Sequence, residues 1–270
     1  MKNKLPLVSI LICTHNAQDT IGATLESCLD QTYKDFEILI HDDQSTDRTI
    51  EIIERINSAK IKIIHSWKKL WPYKGLNFLL DYARGQYIAI QDHDDLRLPQ
   101  KLEKQIDFLE SDIGQKYIGC GTNTRMWYEW DDKYFDYYLG KENYYTIHPS
   151  LVFRNNNKYR YFNDRVYMWD ALFMKRVLCK WKKCIYNISE VLTIHRIIAG
   201  EKNYSYKWFK FSKTNIRTLF ELHPWGYATA ALWWETMRKL IYPTLQKIWK
   251  GSWIDKLERV PFRAQGDRVF

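Results

Sequence analysis

The chain lacks any long hydrophobic run. No window approaches the roughly 20 consecutive apolar residues that a membrane-spanning helix requires, so the sequence predicts no bilayer-spanning segment. Residues 1–6 also lack the apolar stretch and small-residue cleavage site of a secretory signal peptide. We therefore expect a cytoplasmic protein, and peripheral attachment to the inner face of a membrane stays open.

Cysteine is scarce, and its spacing is not that of a paired site. The five cysteines are Cys13, Cys28, Cys120, Cys179 and Cys184, and no two show the C-x-x-C spacing of a zinc or redox motif. Their odd number and irregular spacing indicate neither a disulfide framework nor a structural metal. We expect buried free thiols.

Acidic residues are outnumbered by basic ones, 32 to 41, which gives a formal charge of +9. Such a balance raises the class of nucleic-acid-binding proteins. The basic residues are dispersed, however, no recognised DNA or RNA module is present, and acids gather at the predicted ligand site. The sequence therefore predicts no nucleic-acid partner.

Strands alternate with helices over the first hundred residues. Apolar runs predict strands at 8–13, 36–41 and 61–65 and a fourth strand from Tyr87, with helical periodicity between them. This β-α-β series implies a mostly parallel sheet. Ligands bind at the carboxyl ends of such strands, where the loops converge.

Acidic residues follow the fourth predicted strand. Asp92, Asp94 and Asp95 fall within four positions, and carboxylates so close repel one another unless a cation lies between them. The alternative is a solvated acidic turn in which Asp95 caps the next helix. A second acidic pair ending in Asp43 also follows a strand. This placement favours a divalent-cation and diphosphate site.

The order of these motifs resembles the opening of family 2 glycosyltransferases, which have the GT-A fold. The matching segments are 8–16, 31–38, 42–47, 83–89 and 92–99, and the resemblance covers roughly residues 7–205. It implies a Rossmann-like, mostly parallel sheet flanked by helices. It also implies a nucleotide-sugar donor, most simply a UDP-sugar, and a divalent cation, Mn²⁺ or Mg²⁺.

The resemblance assigns a donor side to the site. The residues expected to bind the donor are Cys13, Thr14, Asn16, Asp43, Lys74 and Asp92. Asp43 would accept hydrogen bonds from uracil or ribose, and Asp92 would lie near the ribose. Asp94 would bind the cation directly with Asp95 assisting. Lys74 has the alternative of being an ordinary solvated charge.

The resemblance also assigns an acceptor side. The segment 148–154 is similar to the family's acceptor lining, through His148, Ser150 and Arg154, and Arg154 has the alternative of an ion pair with an acid such as Asp164. Residues 168–170 match the family's Glu-Asp motif, with Trp169 in place of the glutamate. Asp170 is then the expected general base, and a helix N-cap is its alternative role.

One departure concerns a histidine. Many relatives carry Arg-x-His after the last strand, whereas here Arg196 holds the arginine position and Ile198 the histidine position. His195 would lie on the opposite face of a strand, because side chains alternate. A shift in register could still bring it to the cation. We therefore do not count His195 as a ligand and leave the question open.

Two aromatic stretches remain. Residues 125–145 combine aromatic rings with carboxylates, which suits sugar recognition but also suits the edge of a core. Residues 206–270 are rich in Trp, Lys and Arg, with an amphipathic helix predicted at 227–241. That helix would lie on an anionic membrane or pack against the catalytic domain. We predict a catalytic domain over 1–205 and a helical extension over 206–270.

These observations predict an inverting glycosyltransferase that acts on a hydroxyl of a glycan or lipid-linked glycan, in the synthesis of a cell-surface polysaccharide or lipopolysaccharide. One alternative is transfer to a polyprenyl phosphate, whose anionic oxygen needs no base. The other is a non-catalytic module that binds nucleotide sugars. An inert Asp170→Asn variant would exclude the polyprenyl-phosphate reaction.

Overall fold

The computed structural model describes residues 8–129, 132–162 and 169–197. These residues belong to the first of two compact units, which spans residues 1–207. The predicted boundary at residue 205, Ile198 and the aromatic, basic extension lie outside the described residues. Within the described ranges, no helix is both long and apolar enough to cross a bilayer.

The strands form one ten-stranded sheet in the described part of the chain. They are β1 (Val8–Thr14), β2 (Phe36–Asp42), β3 (Ile61–Ile63), β4 (Tyr87–Asp92), β5 (Leu96–Arg97), β6 (Gly119–Tyr128), β7 (Lys133–Tyr137), β8 (Glu142–Asn143), β9 (Val152–Arg154) and β10 (Ile185–Ile197). The order is β3-β2-β1-β4-β9-β6-β10-β5, with β7 beside β6 and β8 beside β10. The longest pairings, β1 with β2 and β4 and β6 with β10, are parallel. The predicted α/β sheet is confirmed.

Helices cover both faces of this sheet. They are α1 (Ile21–Leu29), α2 (Thr49–Ile56), α3 (Pro72–Tyr82), α4 (Lys101–Glu110) and α5 (Trp169–Leu172), which continues as a π-helical segment Phe173–Leu178. Short 3-10 turns occupy Gly114–Lys116 and His148–Ser150. The first four strands and the helices between them lie where the apolar periodicity predicts.

The alternation of side chains along β1 explains the layers. Ile10 and Ile12 point to a core shared with α1, α2 and α4, whereas Leu11 points to a core shared with α3 and the segment after Asp170. All three side chains are fully buried. Burial of each contributes about 1.5–3 kcal/mol. A strand that is buried on both faces has a continuous run of apolar residues, and this run predicts β1 from the sequence.

A polar cluster closes the edge of the sheet where the parallel strands begin. The nearly buried Glu37 carboxylate accepts hydrogen bonds from Ser9 Oγ (2.9 Å), Arg84 Nη2 (2.8 Å) and Lys62 Nζ (3.0 Å). Gly85 donates its amide to Ser9 Oγ at 2.9 Å. A Cβ at Gly85 would lie 2.5 Å from the Ser9 amide nitrogen, so only glycine fits. The cluster fixes the start of β4 against β1.

The expectation of five free cysteines is wrong for two of them. Cys179 and Cys184 form a disulfide, with their Cα atoms 5.3 Å apart. Between them Lys180 and Trp181 adopt left-handed φ angles of 46° and 66°, which turn the chain back on itself. Spacing alone did not reveal this turn. Of the other three cysteines, Cys28 and Cys120 are buried and Cys13 is half-buried.

Candidate functional site

The loops after β1 and β2 are hydrogen-bonded to each other at the carboxyl edge of the sheet. Asn16 donates its amide to Ser45 Oγ at 2.8 Å, and its side-chain oxygen accepts from the Thr46 amide at 2.8 Å. The Asp43 amide donates to the Thr14 carbonyl at 2.8 Å. The predicted donor residues Thr14, Asn16 and Asp43 are therefore assembled in one place.

The Asp43 carboxylate is already engaged by main-chain donors. It accepts from the amides of Leu70 at 2.6 Å and Trp71 at 3.0 Å, and only 4% of the residue is exposed. Burial alone would raise the pKa of Asp43, but His41 and the two amides lower it below its ordinary value. Asp43 thus stays ionised and holds the segment between β3 and α3 over the loop edge.

A glycine lets α3 approach this edge closely. A Cβ at Gly75 would lie 2.7 Å from the His41 ring and 2.8 Å from Cys13 Sγ. Cys13 is accordingly packed beneath α3, and burial followed by the charges of Asp43 and Asp92 raises the pKa of its thiol. Lys74, the neighbouring residue on α3, is exposed.

The acidic segment after β4 forms a braced turn. Gln91 Nε2 donates to the Asp95 carbonyl at 2.8 Å, and Arg97 Nε donates to Gln91 Oε1 at 2.8 Å. His93 Nδ1 lies 3.2 Å from the Cys13 carbonyl oxygen. Asp92 and Asp94 are half-buried, whereas Asp95 is fully buried. The three carboxylates therefore face different surroundings.

His195 contacts this acidic turn. Its Nδ1 lies 2.9 Å from the Asp95 carboxylate, which also accepts from the Arg196 amide at 2.8 Å. Burial alone would lower the pKa of His195, but Asp95 and the other carboxylates raise it to about 9. The Arg196 guanidinium points elsewhere, over the Trp127 ring. His195 and Arg196 point to opposite faces of β10, as alternation predicts. The face toward the acidic turn is the one that carries His195.

A chain of polar contacts leads from Asp92 to the other side of the edge. His148 Nδ1 lies 3.3 Å from Asp92 Oδ1, and His148 Nε2 lies 3.0 Å from the Tyr161 hydroxyl. Burial alone would lower the pKa of His148, but Asp92, Asp170 and Asp95 together raise it. Asp170, in the first turn of α5, is thus electrostatically close to the same imidazole. The predicted base and the acidic turn share one neighbourhood.

Comparison with known proteins identifies the family. The family model described as glycosyl transferase family 2 matches residues 9–178, which is more than half of the chain. The chain belongs to glycosyl transferase family 2. This assignment agrees with the resemblance seen in the sequence, and it makes the protein a glycosyltransferase.

Named relatives support this assignment over part of their length. WfaP of Escherichia coli, a UDP-Glc:alpha-D-GlcNAc-diphosphoundecaprenol beta-1,3-glucosyltransferase, is 44% identical over 108 residues, which cover 40% of this chain and 43% of WfaP. The uncharacterized glycosyltransferase MJ1057 of Methanocaldococcus jannaschii is 29% identical over 236 residues, covering 76% of this chain and 79% of that protein. The chain matches less than half the length of the first curated relatives.

Solved structures share the fold. TarS 1-349 of S. aureus in complex with UDP-GlcNAc superimposes with a TM-score of 0.66 at 18% identity, covering 80% of this chain and 65% of that one. The mannosyltransferase PcManGT of Pyrobaculum calidifontis, in complex with GDP-Man and Mn²⁺, gives 0.56 at 15% identity, with coverages of 75% and 59%. The GT-A architecture of this glycosyltransferase is thereby shown.

One predicted acceptor residue, Arg154, lies apart from the glycosyltransferase's acidic turn, and a second, Ser150, is fully buried. Arg154 pairs with Tyr87 at the opposite end of β4, because β9 runs antiparallel to β4. Its guanidinium donates to the Tyr87 hydroxyl at 2.7 Å and to the Tyr117 carbonyl at 3.2 Å. Ser150 is fully buried and accepts from the Thr122 amide at 2.7 Å. Both contacts brace the sheet.

Trp169 and Asp164 are the remaining residues predicted on the acceptor side. The Trp169 backbone belongs to α5, and its side chain lies outside the described residues. Asp164, the suggested partner of Arg154, also lies outside them. Among the residues predicted for the acceptor side, His148 contacts the acidic turn, through Asp92.

The aromatic hairpin of β6 and β7 reaches the same carboxyl edge. Trp127 stacks on Tyr134 with ring centroids 5.9 Å apart, and the Arg196 guanidinium lies 4.6 Å from the Trp127 ring. Neighbours thus cover the Trp127 ring, while Tyr134 is 51% exposed. Of these two rings, Tyr134 has the more open surface for a sugar.

Sequence reasoning missed several parts of this site. Tyr161 is one of 19 tyrosines and carries no motif that separates it from the others. The amides of Leu70 and Trp71 leave no trace in side-chain patterns, because any residue except proline supplies an amide. For His195 a signal was present, since a histidine stands beside the arginine of the family pattern.

Proposed function

We propose that this glycosyltransferase transfers a sugar, with inversion, from a UDP-sugar to a hydroxyl of a glycan or lipid-linked glycan. The observation that carries the proposal is the convergence of Asp92, His148 and Asp170 beside the acidic turn. The relatives WfaP and WfgD, both from Escherichia coli, are named for a UDP-Glc donor and a GlcNAc-diphosphoundecaprenol acceptor. Those names support the donor and the lipid-linked acceptor proposed here.

Asp94, a half-buried carboxylate of the acidic turn, suits a divalent cation that would be held mainly by the diphosphate of the donor. The described residues contain no group of three or more His, Cys, Asp or Glu side chains placed to enclose an ion. Mg²⁺ in phosphate sites typically takes one or two carboxylates and otherwise substrate phosphates and water. Asp94 would hold Mg²⁺ or Mn²⁺ directly. Asp95, whose carboxylate contacts His195, would assist from the same turn. When bound, such an ion balances the charge of a departing diphosphate.

On the donor side, chain residues position the nucleotide. Thr14, Asn16, Asp43 and Asp92 lie at the ends of adjacent strands, where a nucleotide would cross the sheet edge. Cys13 packs beneath α3 and shapes the floor of this edge. Lys74, exposed on α3, contributes positive charge toward the diphosphate in the same proposal.

On the acceptor side, Asp170 removes the proton from the attacking hydroxyl. The acceptor oxygen then attacks the anomeric carbon from the face opposite the diphosphate, the carbon–oxygen bond to the diphosphate breaks, and the proton remains on Asp170. One displacement inverts the configuration, so a covalent glycosyl-enzyme is not needed. His148 contacts Asp92 and Tyr161, and it would hold the donor side and the acceptor side in a fixed arrangement.

Donor binding and transfer test the proposal separately. A ligand that binds the native state raises the thermal midpoint, so UDP-, GDP-, CDP- and dTDP-sugars are compared with Mn²⁺, Mg²⁺ or EDTA. We expect cation-dependent stabilisation by UDP-sugars that Asp94→Ala abolishes and Asp170→Asn retains. Transfer, measured as UDP release with a lipid-linked glycan acceptor, should disappear in both variants.

The control and the contrary outcomes are defined by the same assay. Asp81→Asn alters an exposed ion pair with Arg160 on the outer part of α3 and should change neither readout. Normal transfer by Asp170→Asn would show that Asp170 is not the general base. It would favour a phosphate acceptor, whose anionic oxygen needs no base. Folded protein that no nucleotide sugar stabilises would contradict the enzyme proposal and favour a different ligand class.

A further inference from the structure

Tyr161 links three parts of the fold around the site. Its backbone is clamped by Asn77 of α3, which donates Nδ2–H to the Tyr161 carbonyl at 2.9 Å and accepts the Tyr161 amide at 2.7 Å. Its ring stacks on Phe173 with centroids 3.9 Å apart. Only 2% of the residue is exposed. The position of Tyr161 is therefore fixed by its backbone and by its ring.

The hydroxyl of this buried ring has a specific partner. Burying a hydroxyl without a hydrogen bond costs free energy, and the phenol meets this need through His148 Nε2 at 3.0 Å. Burial also raises the pKa of Tyr161 well above its ordinary value, so the phenol keeps its proton. In the imidazole tautomer with the proton on Nδ1, Nε2 accepts from Tyr161, and Nδ1 carries its proton 3.3 Å from Asp92 Oδ1.

The same residue reaches the helix that carries the proposed base. Phe173 follows Asp170 by three residues, at the start of the π-helical segment that continues α5. The Tyr161 ring thus contacts the Asp170 side of the site, and its hydroxyl reaches Asp92 on the donor side through one imidazole. A phenylalanine would fill the same space, so packing alone does not account for the hydroxyl.

We propose that Tyr161 is a positioning residue for sugar transfer. Through His148, it holds Asp92 at a fixed position relative to the helix that carries Asp170. This inference rests on the proposed function. Reaction rates depend steeply on alignment, and a displacement of about 1 Å can cost about a hundredfold in rate. Loss of the hydroxyl should therefore reduce turnover more than donor affinity.

The test is a double-mutant cycle on kcat and donor Kd. Tyr161→Phe keeps the ring and removes the hydroxyl. His148→Asn keeps an amide near the Nδ1 position and so can still reach Asp92, but it cannot reach Tyr161. We expect each variant to lower kcat about tenfold or more and to leave donor Kd within about threefold. The double variant should be no slower than His148→Asn alone, because Tyr161 acts through the imidazole.

Controls separate this outcome from general damage. Tyr159→Phe removes a hydroxyl from the same segment, where the ring packs edge-on against Phe153, and it should leave kcat unchanged. His148→Gln places an amide near the Nε2 position, where it can reach Tyr161 but not Asp92, so kcat should fall as in His148→Asn and should not depend on the Tyr161 hydroxyl. Wild-type kcat in Tyr161→Phe, or effects that add in the double variant, would overturn the inference.

A measurement that needs no turnover distinguishes failure of the proposed function from failure of the positioning role. The ¹⁵N shifts of the His148 imidazole report its hydrogen bonds, and Tyr161→Phe should change the Nε2 signal. If the wild-type protein transfers no sugar, the proposed function fails, and an unchanged Nε2 signal would independently refute the Tyr161–His148 link. If the wild-type protein is active and the cycle is additive, only the positioning role fails.

Discussion

Glu37→Gln should destabilise the protein at neutral pH, because Glu37 anchors the edge of the sheet opposite the acidic turn. A glutamine would set an NH₂ group against the cationic donors of Arg84 and Lys62. Hydrogen bonds to charged groups are worth about 1.5–3 kcal/mol when buried. Both partners are about half exposed, with side-chain exposures of 50% and 42%, so we take about 1 kcal/mol for each. The expected loss is about 2 kcal/mol.

The destabilisation by Glu37→Gln should become smaller as the pH falls. Burial alone would raise the pKa of Glu37, but the hydrogen bonds from Arg84, Lys62 and Ser9 lower it. A carboxylate with a lowered folded-state pKa stabilises fully above the unfolded value of about 4.3, and this contribution disappears as pH falls through the folded-state pKa. The difference between wild type and variant should be equal at pH 7 and 5 and smaller at about pH 3.5.

Thermal unfolding followed by circular dichroism measures this difference. A loss of 2 kcal/mol corresponds to a midpoint lower by about 4–8 °C in a chain of this size. Glu51→Gln, which alters an exposed pair with Arg55, is the matched control and should cost under about 0.5 kcal/mol. An unchanged midpoint at pH 7, or a difference that grows as pH falls, would refute the reasoning.

Three further predictions concern other parts of the chain. Gly85→Ala should lower stability by about 1–3 kcal/mol by forcing a Cβ against a main-chain nitrogen, whereas Gly140→Ala, with open space around its Cβ, should be neutral in the same melt. Replacing Cys179 and Cys184 by alanine should cost about 2 kcal/mol from the short closed loop; thiol titration of the unfolded wild type should give three groups before reduction and five after. Deleting residues 225–270 should abolish sedimentation with anionic liposomes, and binding retained by a folded truncation would contradict the membrane proposal.

The sequence was most informative where local patterns and tertiary structure agree. Strands β1, β2 and β4 are buried on both faces, so their apolar runs marked them, and the acidic turn followed from its position after β4. The face of β10 was harder to predict. That strand pairs with β6 through register shifts between Ile188 and Val191 and between Val191 and Thr193. Simple alternation from the family pattern does not predict the contact of His195 with Asp95.

Long-range contacts set the remaining limits. The family-like segment 148–154 places Arg154 beside His148 in sequence, yet the antiparallel direction of β9 carries Arg154 to the far end of β4. The disulfide depends on two left-handed residues between the cysteines. Neither the direction of a short strand nor a positive φ at a lysine and a tryptophan has a clear signature in a single sequence.

The main-chain donors of Leu70 and Trp71 fix the direction from which a nucleotide could use Asp43 in the proposed donor site. Each carboxylate oxygen already accepts one amide, and an ionised carboxylate can accept about four hydrogen bonds. A base or ribose would therefore share Asp43 with the chain and approach the lone pairs that the two amides leave open. Substitutions in residues 66–71 that move these amides would then shift donor affinity by changing which lone pairs are open.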